Sequence, residues 1–131
     1  MRASIGSPAA LIVDDDVAFI LWLGEMFTES GYQAFPALRF REALALAKSL
    51  TTPLHVLVVN PKMRGAARGI EALKSTQPDL KVVLIRDPTD ESPIAPIGHA
   101  TLERPSAGEP ISKEQWMTKI RKVLMRFSAA R

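Results

Sequence analysis

The sequence predicts an α/β domain in which a parallel sheet carries helices on both faces. Three observations point there. Short apolar runs of strand length alternate with longer segments of helical period along the chain. Those runs stop abruptly at polar residues such as Asp14 and Asn60, as strands buried on both faces do when they surface at one edge of a sheet. Finally, 131 residues, 47% hydrophobic and 24% charged, suffice for one core and are too few for two. Alternation of this kind closes through right-handed crossovers, and its sites gather at the carboxyl ends of the strands.

The elements follow in order. Leu11 to Val13 form the first strand, ending at Asp14, Asp15 and Asp16. From Val17 to Ser30 the residues Phe19, Ile20, Leu23, Met26 and Phe27 recur at helical spacing, and Gly31 stands where a left-handed helix terminus favours glycine. Tyr32 to Pro36 is a weakly patterned second strand whose proline suits an edge or an end. The alanine- and leucine-rich stretch from Arg41 to Leu50 reads as the second helix, closed by Pro53. Val56 to Val59 is the strongest strand, ending at Asn60-Pro61. After a loop around Gly65, Ile70 to Thr76 predicts a third helix and Lys81 to Ile85 a fourth strand. The interval from Asp87 to Gly98 holds Pro88, Pro93 and Pro96, so its helix is expected to be short or missing. Ala100 to Glu103 is the fifth strand. The last helix has Ser112 and Gln115 for a capping box, Ile111 and Trp116 for a hydrophobic staple, and a buried stripe of Trp116, Ile120, Val123, Leu124 and Phe127.

Composition narrows the function classes. Without cysteine there is no disulfide framework and no thiolate chemistry, which fits a reducing, cytoplasmic setting. No signal peptide and no membrane span is read from the apolar runs. The net charge of +3 is local: from Lys113 onward six basic residues face Glu114 alone, a balance of +5. A solvated helix face explains it; attraction to nucleic acid or an acidic partner is the alternative, although no nucleic-acid motif accompanies it. His55 and His99 lack neighbours at metal-ligand spacing and read as structural, and Trp22 and Trp116 as packing residues.

Taken together, these segments resemble the receiver domain of bacterial response regulators from Leu11 to Phe127. Leu11-Ile12-Val13-Asp14-Asp15-Asp16 resembles the family's first strand and acidic cluster. The stretch from Ala37 to Leu44 resembles its A-x-x-G-x-E-A-L segment, with Phe40 in place of glycine, and Gly69-Ile70-Glu71-Ala72-Leu73 resembles its G-x-E-x-L. The resemblance implies a flavodoxin-like (βα)5 fold, a doubly wound five-stranded parallel sheet of strand order 2-1-3-4-5. Residues 10–128 would form the domain, 1–9 a flexible N-terminal segment and 129–131 a C-terminal tail. With no output domain read after the final helix, the chain is expected to be a stand-alone receiver whose output comes through association.

At the functional positions the chain departs from the family. An active receiver holds Mg²⁺ with an acid pair after the first strand and an aspartate after the third, and that aspartate takes the phosphoryl group. Asp14 and Asp15 keep the pair, but the acceptor position is Asn60. The family's Thr or Ser after the fourth strand becomes Arg86, and its Lys before proline after the fifth becomes Arg104, followed by Pro105. Acyl-phosphate formation needs an ionised oxygen as nucleophile, and an amide has none. The site has lost a carboxylate, so a weak Mg²⁺ site on Asp14 and Asp15 stays open but no cofactor is required. One of the two arginines is expected to reach Asp14 and Asp15 and replace the metal. Read by residue type alone, Asp16 is a helix cap and Asn60 a turn residue before proline.

The expected function is that of a non-enzymatic, phosphorylation-independent interaction module. Its partner would be a histidine kinase, another regulator or a second copy, engaged through the proline-rich interval, the fifth strand and the final helix. Nucleic acid is not the expected partner, and neither is a membrane. The alternatives are charge-driven binding through the basic last helix, and a residual phosphorelay in which Asp15 or Asp87 accepts phosphate.

Overall fold

The computed structural model describes residues 8–50, 52–87, 100–104 and 113–129, the side chains of Ala100, Lys113 and residues 123–129 excepted. Strands and helices alternate as β1 (Ala9–Val13), α1 (Val17–Glu29), β2 (Gln33–Ala37), α2 (Phe40–Ser49), β3 (Leu54–Val59), α3 (Ala66–Thr76), β4 (Lys81–Arg86), β5 (Ala100–Glu103) and α4 (Lys113–Ala129). The strands form one sheet in the order β2-β1-β3-β4-β5, and every neighbouring pair is parallel. This is the predicted doubly wound architecture.

Alternation of side chains divides the core between the two faces. Leu11, Val13, Leu57, Val59 and Leu84 point to one side, where Phe40 and Ala43 of α2 and Ile70 and Leu73 of α3 cover them. Ile12, Val58, Val83 and Ile85 point to the other, against Phe19, Leu23 and Phe27 of α1 and Trp116 and Ile120 of α4. All five residues of β1 are buried, because it lies inside the sheet with a helix layer on each face. Each large apolar side chain so buried contributes about 1.5–3 kcal/mol, which makes the strand interior the dominant source of stability.

Several boundaries differ from the sequence reading for identifiable reasons. β1 starts at Ala9, two residues before the branched apolar run, since small alanines are buried there too. β2 is an edge strand and includes Pro36, opposite Ile12, where a residue without an N–H is tolerated. α3 begins four residues before Ile70; the exposed Ala67 and Arg68, followed by Gly69, hide its first turn from a periodicity argument. Gly65 precedes it at φ 78°, a left-handed turn that side chains other than hydrogen resist. Gly31 ends α1 at φ 92°, as its position suggested, with the Ser30 and Tyr32 N–H groups donating to the Phe27 carbonyl.

Phe40 takes a place of its own. Its ring lies against Gly69 of α3, where any Cβ would overlap it. The aromatic side chain at the start of α2 is thus accommodated by a missing one on α3. In α4, Trp116 and Ile120 are buried as expected, and Met117 is buried beside them. Ile111 and Ser112, nearly all of the proline-rich interval, and the side chains of Val123, Leu124 and Phe127 lie outside the described residues. Among the described residues no helix is long and apolar enough to cross a membrane.

Candidate functional site

The strand ends bring the candidate residues to one edge. Asp14 follows the last residue of β1, and its N–H donates to the Ala37 carbonyl at 3.2 Å. Asn60 follows β3, and its N–H donates to the Val13 carbonyl at 3.0 Å, which sets it beside Asp14. Arg86 is the last residue of β4, in register with Glu103 of β5. Arg104 follows β5, and its N–H donates to the Arg86 carbonyl at 2.7 Å.

Asp14 is the buried charged residue among the described ones, 1% exposed. Both its oxygens are engaged: Oδ1 accepts the Asp16 N–H at 3.0 Å, and Oδ2 accepts from Nη2 of Arg104 in a direct ion pair. Nη1 of the same guanidinium donates to Oδ2 of Asp16 at 3.2 Å. Asp16 meanwhile caps α1, its Oδ1 accepting the Phe19 N–H at 3.2 Å. The guanidinium carbon sits 4.6 Å from the centroid of the Phe19 ring, in cation–π range. Phe19 in turn meets Trp116 edge to face at 5.7 Å, and Trp22 joins the cluster.

Arg104 is therefore held by two carboxylates and an aromatic face, a set of interactions that suits a planar fork and not a lysine. Burial pushes the Asp14 carboxyl above its ordinary value of 3.8, outweighing the Asp16 N–H and the Arg104 charge that pull it down; Asp15 pushes it up as well.

Arg104 reaches the acidic cluster, as expected of one of the two arginines, but its second carboxylate is Asp16 and not Asp15. The extended backbone at the cap, φ −90° and ψ 101°, returns the Asp16 carboxylate toward the sheet edge, while Asp15 is exposed to solvent. Sequence reasoning missed this second role of Asp16 and the part played by Phe19. An aromatic residue three positions after a capping acid was the available signal.

Asn60 uses its side chain locally. Its Oδ1 accepts the Lys62 N–H at 2.9 Å and its carbonyl accepts the Met63 N–H at 3.2 Å, an Asx turn that carries the chain from β3 toward α3. The amide offers no ionised oxygen for attack on phosphorus. The resemblance would assign a Mg²⁺ ion to oxygens of Asp14, Asp15 and Asn60. With a guanidinium already on Asp14 and one formal charge missing, this donor set does not fit a divalent ion as arranged. Among the described residues no group of three or more acidic, histidine or cysteine side chains is placed to hold a metal.

No family model matches the sequence, and no curated protein matches it. Solved structures do. The chemotaxis response regulator CheY4 of Vibrio cholerae is 19% identical with a TM-score of 0.70, the match covering 89% of this chain and 98% of that one. A response regulator from Thermotoga maritima is 15% identical with a TM-score of 0.72, covering 91% and 98%. The beryllofluoride-activated NtrC4 receiver domain, solved as a dimer, is 23% identical with a TM-score of 0.67, covering 91% and 98%. At such identities the likeness is one of fold. The chain has the flavodoxin-like fold of CheY-like receiver domains, with strand order 2-1-3-4-5.

Proposed function

We propose that this chain is a signal-transduction receiver whose phosphoryl chemistry has been given up, and that it works as a phosphorylation-independent protein-interaction module. The observation that carries the reading is Arg104 seated on Asp14 and Asp16. A tethered guanidinium there supplies the positive charge that Mg²⁺ would otherwise bring, while Asn60 at the end of β3 cannot act as nucleophile. With Arg86 where a switching hydroxyl is expected by resemblance, the domain holds one conformation and signals by docking. Its partner on this reading is a histidine kinase, another regulator or a second copy, and no enzymatic step is involved.

Incubation with acetyl phosphate and Mg²⁺ followed by intact-mass measurement tests this. No phosphoryl adduct is expected. An adduct, on Asp15, Asp87 or any other carboxylate, would overturn the reading and make the chain a working phosphorelay receiver.

A further inference from the structure

Arg104 does more than neutralise Asp14, for its guanidinium stands where three elements meet. It belongs to the residue that follows β5, it pairs with the acids on either side of the turn between β1 and α1, and its carbon lies 4.6 Å from the centroid of Phe19 in the first turn of α1. Phe19 meets Trp116, the first large apolar side chain of α4, edge to face at 5.7 Å. Trp22, one turn further along α1, meets the same indole at 5.7 Å and the Phe19 ring at 6.3 Å. Among the described side chains of α4, Trp116, Met117 and Ile120 are buried. The amino-terminal half of that helix therefore docks on three residues, and the largest of them rests on the ring that Arg104 holds.

The fit is specific to a guanidinium. Its two Nη atoms donate in fixed directions, so one reaches Asp14, the other reaches Asp16, and the carbon between them still faces the Phe19 ring. An ammonium on a lysine stem is a compact, strongly hydrated point charge and does not meet all three at once. We infer that Arg104 is a latch: its guanidinium fastens the end of β5 to α1 and, through Phe19 and Trp116, fixes how the amino-terminal half of α4 docks on α1. Arg104 is then a positioning residue for a helix face. This latch deepens the proposed function and rests on its premise that the domain holds one conformation without phosphorylation. The Asp16 side chain is 47% exposed, so the place of the guanidinium opens to solvent and a small cation can enter it once Arg104 is removed.

Amide hydrogen exchange of the full chain tests the latch, with residues 117–122 of α4 read against residues 56–59 of β3 as the standard for global opening. Arg104→Lys, which keeps the charge, should lower α4 protection at least about tenfold more than β3 protection, the equivalent of ~1.4 kcal/mol. Arg104→Ala should do the same. Added to the Arg104→Ala chain, guanidinium at about 50 mM, above the millimolar effective concentration typical of a tethered group, should restore α4 protection. Methylammonium at the same concentration should not. If α4 and β3 lose protection in step, Arg104 stabilises the whole fold without selecting α4, and the latch is overturned. Equal rescue by the two cations would overturn it too, since charge alone would then suffice. Should Arg104→Ala fail to fold, Arg104→Lys decides alone. None of these outcomes depends on whether acetyl phosphate forms an adduct, so failure of the latch and failure of the proposed function are read separately.

Discussion

Asp14 and Arg104 stand 90 positions apart in sequence, yet they meet in a direct ion pair at the strand ends. The carboxylate is buried deeper than the guanidinium, whose side chain is 17% exposed, so losing either partner has unequal effects. Arg104→Ala strands a buried charge and should cost roughly 2–4 kcal/mol at neutral pH. Asp14→Asn keeps an oxygen for the Asp16 N–H and leaves the guanidinium with Asp16, so it should cost only about 1 kcal/mol. The pH dependence follows from the raised Asp14 carboxyl. The folded chain holds that proton more tightly than the unfolded one, so the group's contribution is full below about 3.8 and declines as pH rises through its folded value. Without Arg104 the carboxyl moves higher still, and the stability gap between Arg104→Ala and wild type should widen from acid to neutral pH in urea titrations. A gap independent of pH would show that the pair contributes by packing alone. Asp14, Asn60 and Arg104 could be read from strand ends and resemblance. The capping acid's second oxygen and the Phe19 face could not, because no local period reports where a long side chain from a distant strand comes to rest.

The pairing of Phe40 with Gly69 shows how two elements settle their spacing. Glycine inside a helix is normally unfavourable by about 1 kcal/mol relative to alanine, so an isolated view of α3 would call for Gly69→Ala as an improvement. The Phe40 ring occupies the space that methyl group would need. Gly69→Ala should therefore destabilise the chain by about 1–3 kcal/mol, the cost of overpacking. In a Phe40→Ala background the same change should be neutral or stabilising. A double-mutant cycle by chemical denaturation measures the coupling, and additive effects would refute it. Neither half of the pair was legible as a pair: Phe40 was visible only as a departure from a glycine motif, and Gly69 only as part of a helix start. The strong strands, β3 and β4, were legible because branched apolar runs carry their own signal. Edge strand β2 was blurred by Pro36, and the first turn of α3 by its small residues and the exposed Arg68.

Over the whole molecule, strand and helix alternation was enough to predict a doubly wound sheet, but strand order was not encoded in any periodicity and came only through resemblance. The same resemblance poses the question of whether Asn60 alone separates this chain from a phosphorylatable one. The geometry argues that it does not. Asn60→Asp keeps an oxygen in place for the Lys62 N–H, so the turn and the fold should persist. It adds a carboxylate beside Asp14, yet Arg104 is still anchored by Asp14, Asp16 and Phe19, and Arg86 still stands where the resemblance implies a hydroxyl. A nucleophile without room for Mg²⁺ lacks the charge neutralisation that phosphoryl transfer depends on. Asn60→Asp alone should therefore form little or no adduct with acetyl phosphate and Mg²⁺. Combined with Arg86→Thr and Arg104→Lys, which free the acidic pocket, it should form one, and omitting Mg²⁺ should abolish it. Intact-mass spectra of the two variants, recorded side by side, separate the possibilities. If the single variant were phosphorylated as readily as the triple one, Arg104 would be a bystander and the missing carboxylate the whole of the difference.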